Sequence, residues 1–557
     1  MSPRARALFV DGAGDERFQG RRIHFVGIGG SGMSGLARML RQRGAIVGGS
    51  DASPGAATAA LIGEGIPVTF DQAAGALPEE CDLVVASAAI RPDHAELLAA
   101  ARRGLPAITY AEALGLAQLG RTTICIAGTH GKSTTTALTA HILLSAGLDP
   151  SVIVGATCPQ LGGGSRTGSA TIPAGAIAGR PGLLVCEACE FNRSFLEHHP
   201  SLALINNVEE DHLDCFRNID EIVLAFRDFA RLLPEGEPEE GGGRLLIAHE
   251  GAHRREICGG LRCTTETFGF NPAADWVVGF EGPDEGRRGI ATLRRGSREI
   301  GSWSMPVPGE HNALNSAAAA ILASWAGAEW QTIIAAIESF RGLERRSQRL
   351  GVRSLPNGDA VVYDDYGHHP TEIEATLRAL RAVERPRRLI CVFQPHQHSR
   401  TRFLLDQFAQ SFAHADVVIV PQIHFVRDSE AERMRVSAAD LVDRLRERGI
   451  QAMHLHPFEA IVEQLEVICR EGDLVVVMGA GPVNEVAKEF LRPQREVPAA
   501  APVAEIEAAG SKRSERPPAS DAAASASRPA AESAPRSGRR RRSGTLFDDL
   551  GASGDAR

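Results

Sequence analysis

The sequence predicts an α/β protein made of three α/β units and a disordered tail, on three observations. Short apolar runs alternate with helical patterns from residue 22 to about residue 492, the spacing of parallel strands joined by crossover helices. Two glycine-rich turns, at Gly27 and Gly128, each stand between such a run and a helix. From residue 493 onward Ala, Ser, Pro and Arg displace nearly all large apolar residues, and such a segment buries too little surface to offset its ordering entropy.

Composition narrows the function. A chain of 557 residues is too long for one compact core. Its 43% hydrophobic and 23% charged residues are those of an ordinary folded protein. A net charge of −9 argues against a nucleic-acid coat, which needs a basic stripe. Apolar runs such as 245–248 and 474–480 are far shorter than a membrane span. Residues 1–20 lack the apolar centre of a signal peptide, and ten cysteines in so long a chain are no disulfide framework. The expectation is a cytoplasmic protein with reduced thiols.

The first unit, 1–118, opens with the run 23–28 and the turn Gly27-Ile-Gly-Gly-Ser-Gly32, then a helix over 33–43, a strand at 45–48 and another at 82–86. Gly27, Gly29, Gly30, Ser31 and Gly32 would bring backbone amides and a helix N-terminus against a diphosphate. Asp51 stands at the distance of a ribose-binding acid, and its plain alternative is a strand cap. A Rossmann-like domain holding a nucleotide diphosphate is predicted.

The second unit, 119–343, opens with the β-rich run 122–127 and the turn Gly128-Thr-His-Gly-Lys-Ser-Thr134. Gly128, Thr129, His130, Gly131, Lys132, Ser133 and Thr134 read as a phosphate loop of a P-loop ATPase-like domain. Lys132 reaches the terminal phosphates and the Ser133 hydroxyl ligates Mg²⁺. Two residues rather than four separate its glycines. Strands are expected at 182–186 and 202–206, a surface loop at 234–243 and a small-residue helix at 313–326. Glu187-Ala-Cys-Glu190 and Asn206-Asn-Val-Glu-Glu-Asp-His212 follow those strands and suit a Mg²⁺ site. Cys186 and Cys189 invite a zinc reading, but residues three apart in a strand face opposite ways. His311, Asn312 and Asn315 open the small-residue helix, where they read a base or ribose or simply cap the helix.

The third unit, 344–492, places strands at 360–363, 389–393, 417–420 and 474–478. Asp364-Asp-Tyr-Gly-His-His-Pro370 and Phe393-Gln-Pro-His396 with Ser399-Arg-Thr-Arg402 follow two of them, the strand ends where α/β sheets hold ligands. Arg400 and Arg402 suit carboxylates or phosphates. In the tail, 493–557, residues 539–542 and Leu546-Phe-Asp-Asp-Leu550 read as a solvated segment or as a short motif for docking a partner.

Taken together, these motifs resemble the ATP-dependent amino-acid ligases of peptidoglycan synthesis over about residues 22–490. The carrying residues are His24-Phe-Val-Gly-Ile-Gly-Gly-Ser-Gly-Met33, Gly128-Thr-His-Gly-Lys-Ser-Thr134, Glu187-Ala-x-Glu190 with Ser194-Phe-Leu196, and Asn207-Val-Glu-x-Asp-His212. Gly309-x-His-Asn312, Asp364-Asp-Tyr-Gly-His-His-Pro-Thr-Glu372 and Phe393-Gln-Pro-His396 with Ser399-Arg-Thr-Arg402 complete the set. The resemblance implies that the first glycine loop holds the uridine diphosphate of UDP-N-acetylmuramate, that the central domain binds ATP and Mg²⁺, and that the third brings L-alanine. It implies catalytic roles for Lys132, Glu187, His212 and Arg400, metal ligation by Ser133, Glu187 and His212, adenine contacts from Asn312 and Asn315, and an alanine pocket of Tyr366, His368 and Arg400.

Some positions depart from the family pattern: Cys189 and Asn192 stand where Asp is usual, Gln397 where Arg is usual and Ser133 where Thr is commoner, and the segment 423–428 also differs. They keep two alternatives in view, a recycling ligase that attaches a whole tripeptide and a homologue that binds nucleotide without turnover. A nicotinamide-dependent dehydrogenase would leave the loop at Lys132 without a purpose.

Overall fold

The computed structural model describes residues 17–492 other than 74, 285–287 and 427, with the side chain of Ser31 also set aside. The expected disordered tail, with its docking motif, lies outside the described residues. Among those that are described, no helix is long and apolar enough to cross a membrane.

The first sheet has five parallel strands in the spatial order Val68–Thr69, Ile46–Ser50, Arg22–Val26, Leu83–Ala86, Ala107–Thr109. Strand order reverses at Arg22–Val26, which opens a crevice at its C-terminal end, the position where doubly wound sheets take ligands. The glycine turn lies there. Its helix, Ser31–Gln42, buries Met33, Leu36, Ala37, Met39 and Leu40 against the sheet, the 3.6-residue stripe of an amphipathic helix.

The central sheet has ten strands. Seven are parallel, in the order Trp276–Glu281, Thr264–Gly269, Arg244–Ala248, Leu202–Ile205, Thr122–Ala127, Leu183–Glu187, Ser151–Cys158. Antiparallel strands flank them, Ile290–Arg295 and Arg298–Ser304 at one edge and Gly163–Arg166 at the other. Ile124 and Ile126 face one core with Leu138 and Ala317; Cys125 and Ala127 face the other with Phe195 and Phe226. This alternation is the two-residue period of a strand covered on both sides. The helix Glu310–Trp325 buries Ala313, Ala317, Ala318 and Ala320 completely, so its small side chains allow close approach to the helix Lys132–Ser145.

The third sheet has six strands in the order Gln348–Leu355, Gly358–Asp365, Asp473–Met478, Arg388–Phe393, Val417–Val420, Gln451–His454, parallel except for the first. The first and central units pack tightly. A Cβ on Gly35 would fall 2.6 Å from Ser165 Cβ, and one on Gly115 2.1 Å from the Glu197 carbonyl oxygen.

Candidate active site

The turn after Thr122–Ala127 is shaped by two positive-φ glycines, Gly128 (φ 136°) and Gly131 (φ 81°). A Cβ on Gly131 would lie 2.4 Å from Asn206 Nδ2 and 2.5 Å from Asn315 Oδ1, so both backbone angle and space require glycine. Neighbouring loops pin the turn. The His130 N–H donates to Asn207 Oδ1 at 2.7 Å, and the Thr129 N–H to the Asn207 carbonyl at 3.1 Å. Asn206 Nδ2 donates to Asn315 Oδ1 at 2.8 Å, and Asn315 Nδ2 to Asn312 Oδ1 at 3.1 Å. A chain of side-chain amides therefore joins the phosphate loop to the small-residue helix.

Lys132 turns back over its own loop. Its Nζ donates to the Gly128 carbonyl at 2.5 Å, to the Thr129 carbonyl at 3.1 Å, and to Glu190 Oε2 and Oε1 at 3.0 and 3.3 Å. Burial pulls the ammonium toward neutrality, but Glu190 outweighs it and holds Lys132 protonated above the usual lysine range.

Two hollows meet at this loop. Gly131, Thr134, Asn207, His311, Asn312 and Asn315 line the first. Burial pushes the His311 ring down to about 4, with Arg378 adding to the effect, so a neutral ring faces the hollow. The second is a cleft of about 2450 Å³, partly open to solvent, and all three units contribute to it. Ser34 and Arg38 come from the first unit, Thr129, Lys132, Ser133, Glu187 and His212 from the second, and Tyr366, His368, His396 and Arg400 from the third.

Within the cleft, Glu187 Oε1 accepts the Gly155 N–H at 2.6 Å. His212 has a left-handed backbone (φ 54°), and its Nε2 lies 3.8 Å from Asp211 Oδ2 and 4.0 Å from Glu190 Oε1. Burial lowers the His212 ring despite both carboxylates, leaving a neutral imidazole whose lone pair can meet a cation. A hydroxyl, a carboxylate and an imidazole thus share the cleft wall beside the phosphate loop, a donor set that suits a divalent cation retaining waters.

From the third unit, Arg400 donates from Nη2 and Nε to Asp211 Oδ1 at 2.7 and 3.1 Å. Burial disfavours the Asp211 anion, but Arg400 overrides it and holds the carboxyl far below its ordinary range. Arg400 Nη1 lies 3.4 Å from His396 Nδ1. Tyr366 stacks edge-on with His368 at 5.5 Å, and His368 with His396 at 5.9 Å. Burial pushes His368 down to about 4, against the pull of Glu372. The guanidinium groups of Arg345 and Arg346 lie 5.1 and 4.9 Å from the Tyr366 ring.

His130 joins the second and third units. Its ring nitrogens lie 3.5 Å from Glu209 Oε2 and 3.3 Å from Glu372 Oε1, and its ring 4.6 Å from that of His369. Burial lowers the His130 ring, but these two carboxylates outweigh it and lift it to about 9.

The first glycine turn is closed from below. The Gly29 N–H donates to Asp51 Oδ2 at 2.7 Å, so Asp51 braces the turn. Gly27, at φ 79°, faces Ser87 at 3.1 Å, and Gly32 faces the Tyr110 hydroxyl at 2.6 Å, each measured from a built Cβ. Gly30 caps the helix that Ser31 begins. These glycines and Asp51 lie beyond the lining of the large cleft, which the first unit reaches through Ser34 and Arg38.

Sequence reading did not single out Glu190, Asp211, Glu209 and Glu372 as site residues, although each stood inside a quoted motif. Nor did it single out Arg345 and Arg346, whose one sequence signal is an arginine pair just ahead of the third unit's first strand. Cys186 is buried in the core while Cys189 lines the cleft, so the two do not face a common ligand.

Profiles described as the Mur ligase family catalytic domain, the Mur ligase middle domain and the Mur ligase glutamate ligase domain match residues 22–120, 126–323 and 345–481. The chain is 38% identical over 473 residues to the UDP-N-acetylmuramate–L-alanine ligase of Lachnospira eligens, covering 84% of this chain and 98% of that protein. It is 38% identical over 475 residues to the enzyme of that name from Caldanaerobacter subterraneus, covering 85% and 97%. The crystal structure of a UDP-N-acetylmuramate–alanine ligase from Thermotoga maritima matches with a TM-score of 0.67 at 25% identity, over 84% of this chain and 98% of that one. A murein peptide ligase from Psychrobacter arcticus shares the fold, with a TM-score of 0.62 at 23% identity over 85% and 98%. With matches to all three units in chain order, the protein belongs to the Mur ligase family.

Proposed function

We propose that the chain joins L-alanine to UDP-N-acetylmuramate in an ATP-dependent reaction, releasing ADP and phosphate. One observation carries this reading: the cleft that sets Lys132, Ser133, Glu187 and His212 against Tyr366, His368 and Arg400. The identity to ligases of that name over most of both chains supports the choice of substrates.

A carboxylate resists amines because its leaving group would be oxide. Transfer of the γ-phosphoryl group to the muramyl carboxylate gives an acyl phosphate, whose phosphate leaves readily when the alanine amine attacks. The first step brings two anions together, so positive charge must surround it. Lys132 exchanges Glu190 and the loop carbonyls for the β- and γ-phosphates. Gly128, Thr129, Gly131 and Thr134 wrap the polyphosphate, while His311, Asn312 and Asn315 border the hollow assigned to adenine and ribose. Ser133, Glu187 and His212 would hold Mg²⁺, which neutralises phosphate charge. Tyr366, His368 and Arg400 hold the amino acid, with Arg400 turning from Asp211 to the alanine carboxylate. The first glycine turn and the helix from Ser31 take the uridine diphosphate, with Asp51 bracing the turn. Closure of the cleft protects the acyl phosphate from water. The chain's use of ATP and a sugar nucleotide supports a cytoplasmic location.

The test is phosphate release from purified protein with ATP, Mg²⁺ and UDP-N-acetylmuramate, with either L-alanine or the tripeptide added. Alanine-dependent release with a product of matching mass supports the reading. Release with the tripeptide alone, or ATP binding with no release, overturns it.

A further inference from the structure

Beneath the active site, three metal-ligating side chains that the reaction does not use converge in the core. Cys125 and Cys186 are register partners on the adjacent parallel strands Thr122–Ala127 and Leu183–Glu187, and both point to the face packed against the first unit. His198 reaches the same point from the segment that follows the strand Leu183–Glu187. All three are buried. The sulfurs are 3.8 Å apart, and His198 Nδ1 is 3.5 Å from Cys125 Sγ and 3.7 Å from Cys186 Sγ.

These separations are those of a coordination shell. A cation at about 2.3 Å from sulfur and about 2.0 Å from nitrogen, with near-tetrahedral angles, sets its sulfurs about 3.8 Å apart and each sulfur about 3.5 Å from nitrogen. A second, independent feature is the tautomer. The His199 N–H donates to Gln118 Oε1 at 2.6 Å, which fixes that amide. Its NH₂ end therefore faces His198 Nδ1 at 2.6 Å and Cys186 Sγ at 3.3 Å. A nitrogen that accepts from an amide is the unprotonated one, the tautomer metal ligation needs; an ion at Nδ1 takes the lone pair that the amide now holds, and the amide N–H stays within reach of the Cys186 thiolate.

We propose that Cys125, Cys186 and His198 bind a thiophilic d¹⁰ cation, Zn(II) or Cu(I), with Gln118 as the orienting partner. Binding releases one proton from each thiol and forms two metal–sulfur bonds and one metal–nitrogen bond. Zn(II) gives a neutral complex and Cu(I) one of single negative charge. Three donors suffice for Cu(I), whereas Zn(II) requires a fourth, which Gln118 Oε1 supplies only by giving up its bond from the His199 N–H. The ion would clamp the strand that ends before Gly128 to the strand that ends at Glu187, fixing the floor of the site without touching substrate.

The test uses the full chain, expressed with zinc or with copper supplementation and purified under a phosphine reductant without chelator. Elemental analysis is expected to find about one equivalent of one of these metals per chain, and X-ray absorption a shell of two sulfurs and one nitrogen, joined by one oxygen if the ion is Zn(II). Cys125→Ser and Cys186→Ser should lower the metal content at least about tenfold, while Cys258→Ser, at a cysteine elsewhere in the fold, should not change it. Which supplement loads the site identifies the ion. Less than about a tenth of an equivalent under both supplements, an absorption shell without sulfur, or full metal in Cys125→Ser would overturn the proposal. Should the serine variants fail to fold, the absorption shell of the unaltered protein decides.

Discussion

Lys132 and Glu190 pair across the phosphate loop at 3.0 Å, in a site where both side chains are largely shielded from water. On the proposed function, the carboxylate holds, before nucleotide arrives, the ammonium that phosphate would later take. Glu190→Gln leaves the ammonium without its counter-charge, at a cost of about 3 kcal/mol to the nucleotide-free protein. ATP then restores more than it does in the unaltered chain, so the rise in melting temperature on adding ATP is expected to be larger in the variant. Equal rises in both proteins would show that Glu190 does not compete with phosphate. Lys132→Ala should abolish phosphate release and leave sugar-nucleotide affinity unchanged by calorimetry.

Gly131→Ala tests the shape of the loop. A methyl group would meet Asn206 and Asn315 at 2.4–2.5 Å, in a left-handed conformation that itself costs a non-glycine residue about 1 kcal/mol or more. Displacement of the loop is expected to weaken ATP binding by at least about tenfold, measured by titration calorimetry. Gly147→Ala, another positive-φ glycine but with open space around it, should leave ATP affinity unchanged.

Arg400→Lys tests the amino-acid pocket. Lysine keeps the charge but loses the planar fork that now grips Asp211. The KM for L-alanine is expected to rise about tenfold or more, with the KM for ATP little changed. A parallel rise in both would mean that Arg400 acts by holding the two walls together.

His130 gives a pH signature. Its ring titrates at about 9 in the folded protein against an ordinary 6.5. A raised value means that its contribution is complete below pH 6.5 and is lost as pH climbs through about 9. Denaturation midpoints should therefore fall across that window, by up to about 3 kcal/mol in stability, and His130→Gln should flatten the fall. Its partner Glu209, pushed down to about 2, contributes above about pH 4.5 and loses that contribution as pH drops toward 2.

Much of the fold was legible where a strand is covered on both faces. Thr122–Ala127 and Val417–Val420 show as continuous apolar runs and have the bounds expected of them. The antiparallel edge of the central sheet was not legible. Ile290–Arg295 and Arg298–Ser304 carry exposed Arg294, Arg295, Arg298 and Glu299, and a half-solvated edge lacks the apolar run that announces a buried strand. The turn at 128–134 was readable because its positive-φ glycines are a local requirement. The Arg400–Asp211 pair was not, because its members are 189 residues apart and only the packed units bring them together. Likewise, strand geometry argued against a ligand shared by Cys186 and Cys189, but the thiol that does meet Cys186 lies across the sheet at Cys125, a pairing only the folded sheet creates.

The bridge from His130 to Glu372 means that one imidazole belongs at once to the glycine loop 128–134 and to the helix beginning at Pro370. On the proposed function, whatever nucleotide does to that contact would be felt by the third unit's amino-acid pocket, and thermodynamic reciprocity would make the influence run equally in reverse. Amino-acid affinity in this enzyme is therefore a conditional quantity. Measured with and without nucleotide it should differ by a single factor, and the same factor should separate nucleotide affinities taken with and without the amino acid.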